Sequence, residues 1–274
     1  MHDLPPDLVT LISITVLIGG ACIGSFLNVC IYRIPNEQSV VHPRSRCPSC
    51  LHPIAWYDNI PIVSYVLLRG ACRHCGSTIS WRYPLVEALT SLLFFLVWRQ
   101  YGWDPRTLVF MLFVFGLLLA TFVDFDHMII PDRVSLGGMV IGLAISALLP
   151  TLHGETRPLP ALIHSATGLA VGFGLLWLVS VLGKLMFKKD AMGFGDVKLL
   201  GAIGAFTGWE GVVFTIMISS LLGSVVGLTL IIVGGREWQS RIPYGPYLAI
   251  AAILWALWGP HWWGLYVDWV QAAG

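Results

Sequence analysis

An all-α polytopic membrane bundle is the fold class this sequence predicts, and three observations carry the prediction. Of 274 residues, 56% are hydrophobic and only 11% are charged, whereas a soluble domain carries roughly 25% charged residues. Apolar stretches recur along the chain at lengths approaching the ~20 residues that a bilayer-spanning helix needs. One segment breaks the pattern: residues 33–84 are polar and hold four of the six cysteines. The expected organisation is a first transmembrane helix (1–32), a small cytoplasmic zinc-binding loop domain (33–84) and a transmembrane bundle (85–274).

Eight helices are expected, at about 8–31, 85–98, 108–123, 134–149, 161–182, 197–207, 212–233 and 244–258. The first reads as a retained span. Residues 1–7 carry Asp3 and Asp7 where a cleavable signal would be basic, and no small-residue cleavage site closes the apolar run. The sixth is short: 11 residues give roughly 16 Å of helix against a ~30 Å hydrocarbon core. It either crosses a thinned bilayer or starts from a recess.

Orientation follows from the basic residues. Alternating the eight spans puts Arg33, Arg44, Arg46, Arg69, Arg73, Arg82, Arg133, Lys184, Lys188, Lys189, Lys198, Arg236 and Arg241 on one side, and Arg99, Arg106 and Arg157 on the other. Lys and Arg accumulate on the cytoplasmic side, which makes the long first loop cytoplasmic. The net charge of +1 gives no reason to expect a nucleic-acid partner; the surrounding partner is membrane lipid.

Within the loop, "CPSC" (47–50) and "CRHC" (72–75) are two C-x-x-C knuckles separated by 21 residues. Cys47, Cys50, Cys72 and Cys75 suit a tetrahedral Zn²⁺ with no position open to water, which marks a structural metal. A loop of this size has little core of its own and gains from such a staple. His74 reads as a surface residue, and Cys22 and Cys30 as packed apolar side chains.

The acids divide by side. "TFVDFDHMIIPD" (121–132) brings Asp124, Asp126 and Asp132 to the cytoplasmic end of the third span, and "MGFGDVKLLG" (192–201) brings Asp196 to the same face. Carboxylates at membrane depth usually mark function. Two brought together share a proton, so that one can take a proton from water while the other protonates a carbonyl. Gly193 and Gly195 let backbone approach closely beside Asp196. Asp196 alone also fits a helix N-cap, and Asp132, after Pro131, fits the N-cap of the fourth helix. Asp126 and His127 read as solvated interfacial residues.

Taken together, these pieces resemble the bacterial prepilin peptidases, or type IV leader peptidases. The resemblance is carried by "GSFLNVCIYRIP" (24–35), "DNIPIVSYVLLRGACRHC" (58–75), "RYPLVEALT" (82–90), "DFDHMIIPD" (124–132), "GFGDVKLLG" (193–201) and "IPYGPYLA" (242–249). It implies a bifunctional enzyme of the bacterial inner membrane. Such an enzyme cleaves the leader of prepilins and type II secretion pseudopilins after a glycine at the cytoplasmic face, then N-methylates the new N-terminus with S-adenosylmethionine. The family's catalytic aspartates fall on Asp124 and Asp196, its zinc ligands on the four cysteines, and supporting positions on Gly193, Gly195 and Lys198. The methyltransferase part maps to the first loop and adjoining helix ends, with Gly24, Asn28, Arg33, Gly70, Arg82 and Glu87 as candidates for the cofactor site. Glu87 enters an apolar helix, where it can pair with Arg33 or Arg82 or meet the substrate amine.

Three competing readings are a proton-coupled transporter, another G-x-G-D protease and a membrane-anchored zinc module without catalysis. A transporter would hold its acids near the midplane at a repeat interface, and no repeat is visible.

Overall fold

The computed structural model describes residues 5–188, 192–233 and 243–273. Asp3, Lys189, Arg236, Arg241 and Ile242, all used above, lie outside the described residues. The chain divides into two compact units, residues 1–115 and 116–274.

Unit one contains α1 (Pro6–Arg33), a 3₁₀ turn (Trp56–Asn59), the short α2 (Val63–Leu67), α3 (Arg82–Tyr101) and the start of α4 (Pro105–His127). Prolines at the start of α1 and α4 stand where a missing N–H costs nothing. The α1–α3 contact is set by Gly20 and Gly24, four residues apart on one face. A Cβ on Gly20 would meet Ser91 Cα at 2.8 Å, and one on Gly24 would meet Glu87 Cα at 2.7 Å. Small residues at this spacing bring helix backbones together where lipid supplies no hydrophobic drive. The chain between α1 and α3 carries two isolated bridges, Arg46↔Pro53 before α2 and Ala71↔Thr78 after it, the extended pairings found among the described residues.

Unit two contains the end of α4, α5 (Asp132–Leu148), a 3₁₀ turn (Pro150–His153), α6 (Pro158–Phe187), α7 (Phe194–Ile232) and α8 (Gly245–Ala273). The same device recurs twice. Gly138 and Gly142 of α5 face Ala202 and Ala205; Gly168 and Gly172 of α6 face the carbonyls of Gly204 and Leu200, where a Cβ would come within 2.2 and 2.5 Å. The core is therefore built on backbone-to-backbone approach more than on large side chains.

Helix α7 is two arms. Gly208 has φ 73° and ψ −179°, outside helical space, and a side chain there would strike His164 Nε2 at 2.3 Å. His164 in turn bonds Glu210 Oε2 at 2.9 Å, holding the break from both sides. The expected sixth and seventh helices are thus the arms 194–207 and 209–232 of a single kinked element. The short sixth span also has its reason. Gly168 and Gly172 of α6 lie against Gly204 and Leu200, an antiparallel register that puts the start of α7 level with about residue 178, while α6 continues to Phe187, roughly 13 Å further at 1.5 Å per residue. The arm carrying Asp196 begins inside the length of α6.

Among the described residues, five helices are long and apolar enough to cross a membrane: Pro6–Arg33, Pro105–His127, Pro158–Met186, Phe194–Ile232 and Gly245–Ala272. The protein is a multi-pass membrane protein. Helix α8 runs further than the expected 244–258, through Pro260, and its Trp255 and Trp263 pack with Trp209 and Phe214 near the α7 break.

Candidate functional sites

In unit one the four cysteines converge. The Sγ atoms of Cys47, Cys50, Cys72 and Cys75 all lie within 4.8 Å of one another. The two knuckles share one backbone plan. Leu51 N–H donates to Cys47 O and Cys47 N–H to His52 O; Gly76 N–H donates to Cys72 O and Cys72 N–H to Ser77 O. Each turn closes on a left-handed residue, Leu51 at φ 59° and Gly76 at φ 70°. The backbone N–H of Cys50, helped by the Ser77 hydroxyl, holds the Cys47 thiol down to about 5, in the thiolate form a metal needs. His74 is exposed, as expected, and stacks on His52 (3.4 Å between centroids). Cys30 is buried, but Cys22 is exposed on α1.

Beneath this module lies a cavity of about 580 Å³, lined among others by Asn28, Tyr32, Arg33, Tyr65, Tyr83 and Glu87. Glu87 is buried at 7% exposure. Its Oε2 accepts the N–H of Ile62 at 2.7 Å, and Ile62 stands at φ 62°, a strained conformation for a β-branched residue. Arg33, one of the two cations expected beside Glu87, instead braces the loop by donating to the carbonyls of Ser39 and Pro43 at 2.9 and 2.7 Å. Of the six cofactor candidates, Asn28, Arg33 and Glu87 line the cavity. Gly24 packs α1 on α3, and Gly70, at φ 68°, closes a turn against the Tyr65 ring.

In unit two Asp124 sits at the end of α4 and Asp196 near the start of α7, with 5% and 8% exposure. The backbone N–H of Gly245, first residue of α8, donates to Asp124 Oδ2 at 3.1 Å. A Cβ on Gly245 would fall 2.7 Å from that oxygen, and one on Gly193 would fall 3.1 Å from Asp196 Oδ2. Glycine backbone therefore walls the carboxylates.

Two N-cap readings are corrected. The cap of α7 is Gly193, so Asp196 lies inside the first turn, with its Oδ2 against Gly193. The cap of α5 is Pro131; Asp132 is the first helical residue and pairs with Lys198 Nζ, which also lies 5.3 Å from the Phe194 ring centroid. Asp126 is exposed. Two residues at the site carried no sequence argument of their own, Gly245 and Ile130. Each lies inside a quoted motif, Gly245 in "IPYGPYLA" and Ile130 in "DFDHMIIPD", with no role assigned to it there.

A multi-pass helical membrane protein with a buried carboxylate pair on two helices and a separate four-thiol centre is the class that fold and sites define. Residues 18–101 match the bacterial peptidase A24 N-terminal domain, and residues 111–228 match the type IV leader peptidase family. The chain is 40% identical to the prepilin leader peptidase/N-methyltransferase of Myxococcus xanthus, over 85% of this chain and 68% of the relative. It is 36% identical to the protein of that name from Pseudomonas putida, over 93% and 92%, and 37% identical to that from Neisseria gonorrhoeae, over 85% of each. No solved structure matches. The chain belongs to the type IV leader peptidase family.

Proposed function

We propose that this protein removes the leader peptides of type IV prepilins and type II secretion pseudopilins, after a glycine, and N-methylates the new N-terminal residue. The observation that carries the reading is the pair Asp124 and Asp196: buried carboxylates presented by separate helices beside open glycine backbone. One carboxylate takes a proton from a water whose oxygen attacks the scissile carbonyl carbon. The other gives its proton to the carbonyl oxygen, and collapse of the tetrahedral species passes a proton to the leaving amine. The Gly245 N–H fixes the orientation of Asp124 through its Oδ2, leaving its other oxygen for this work. Gly193 and Gly195 leave room for substrate backbone, and Lys198, paired with Asp132, ties the start of α7 to α5.

The four cysteines fit structural zinc. Tetrahedral sulfurs about 2.3 Å from zinc stand about 3.8 Å apart, and Cys47 Sγ lies 3.8 Å from Cys75 Sγ. The cavity beneath fits S-adenosylmethionine in size and in chemistry. Its tyrosine rings suit an adenine, and the Glu87 carboxylate suits a sulfonium or the acceptor amine; Asn28 and Arg33 shape its walls. S-adenosylmethionine supplies an electrophilic methyl group when bound. Glu87 is the residue placed to hold the proton that the amine loses. Residues 33–84, with Asn28 and Glu87 from the flanking helices α1 and α3, thus serve methylation, and the rest of the bundle serves cleavage. The excess of Lys and Arg on one side supports sites that face the cytoplasm, and membership of the family supports the bacterial inner membrane.

The test is cleavage of a purified prepilin in liposomes by the wild type, Asp124→Asn and Asp196→Asn. Both variants are expected to leave the precursor intact. Leader removal by either would contradict the assignment.

A further inference from the structure

The four-residue connection between α4 and α5, residues 128–131, sends one side chain inward. Met128 and Ile129 are 54% and 52% exposed, whereas Ile130 is 8% exposed. Met128 turns the chain at φ 55°, its N–H held by the carbonyl of Asp124 itself at 2.9 Å, and Pro131 fixes the exit as the cap of α5. Ile130 is thereby driven between the two glycines that flank the carboxylates. A Cβ on Gly195, the neighbour of Asp196, would lie 3.1 Å from Ile130 Cβ and 3.4 Å from its Cγ1. A Cβ on Gly245, which orients Asp124, would lie 3.3 Å from Ile130 Cδ1. The side chain spans from one carboxylate's support to the other's, and its β-branch makes it stiff at χ1.

We propose that Ile130 is a specificity-determining residue: it limits the size of the substrate residue whose carbonyl lies between Asp124 and Asp196. The inference rests on the cleavage reading above. A peptide presenting its carbonyl to both acids must lay its backbone beside Gly195 and Gly245, where a single added methyl group already presses on Ile130. A residue with no side chain fits beside Ile130; one with a Cβ has to displace it.

The test compares kcat/KM for two forms of one prepilin, with glycine or alanine before the scissile bond, using the wild type, Ile130→Val and Ile130→Ala in liposomes. One methyl group in a tight pocket is worth roughly 10–200-fold in discrimination. The glycine-over-alanine ratio is therefore expected to fall by at least about tenfold in Ile130→Ala, and by less in Ile130→Val. Because a ratio is read, a general loss of activity cancels. An unchanged ratio in either active variant overturns the proposal, as does complete inactivity of both variants in protein that retains its zinc and its melting behaviour. A wild type that cleaves neither substrate overturns the cleavage reading itself, and this proposal with it.

Discussion

The two units hold their sites by opposite means. In unit one the four thiols sit on irregular chain between α1 and α3, with turns and isolated bridges in place of a packed core. Within the module Cys47 and Ser64 are buried, while Trp56, Leu67 and Trp81 are exposed. With zinc bound as proposed, convergence of the sulfurs depends on the metal. In unit two Asp124 and Asp196 ride on long helices brought together through Gly138, Gly142, Gly168, Gly172 and Gly204, so their geometry is fixed without a ligand. One site is assembled by what it binds, the other by what its helices lack.

Removing zinc breaks the comparison most sharply. Zinc binding contributes on the order of 10–16 kcal/mol to such small modules, so chelation is expected to abolish methylation and unlock amide exchange in residues 40–80. Exchange in the arm 194–207 stays as it was. Acidification acts in the same direction. Zinc binds the deprotonated thiols, so its hold weakens as the pH falls and protons compete for the four sulfurs, measurable as free zinc by a chromophoric chelator.

The converse change falls on unit two. Gly204→Val would press a side chain onto the Gly168 carbonyl, which a Cβ alone approaches to 2.1 Å. Overpacking of this kind costs about 1–3 kcal/mol, and α6 must move from the arm bearing Asp196. Cleavage is expected to fall at least tenfold with zinc content unchanged, read by metal analysis beside a peptidase assay. The smallest effect separates the two knuckles. Leu51 holds at φ 59° the place that Gly76 holds at φ 70°, and a left-handed Cβ costs roughly 1–2 kcal/mol. Leu51→Gly is expected to raise the zinc affinity or leave it level, the gain being offset by the chain entropy of glycine; a weakened affinity would show that Leu51 contributes packing the exposed side chain does not suggest.

The sequence was legible where chemistry requires a particular atom. Four sulfurs at knuckle spacing and two carboxylates in apolar surroundings stand out because nothing else does their work. The glycine pairs at four-residue spacing, 20 and 24, 138 and 142, 168 and 172, 204 and 208, were also in plain view, yet their meaning depends on which helices meet. Ile130 and Gly245 were not legible. Ile130 acts by volume and Gly245 by a backbone N–H, properties shared with many other residues, and only the fold brings them to the acids. Asp132 and Asp196 show the reverse limit: each fits a capping position by sequence, and each lies one to three residues inside its helix.

The most direct measurement is the mass of one prepilin after incubation with S-adenosylmethionine and the wild type, Asp196→Asn or Glu87→Gln. The wild type should yield pilin without its leader and about 14 Da heavier, the mass of a methyl replacing a hydrogen. Asp196→Asn should return the intact precursor, and Glu87→Gln the cleaved pilin with its methyl group largely missing. Cleavage by Asp196→Asn, or full methylation by Glu87→Gln, would contradict the division of labour between the two units.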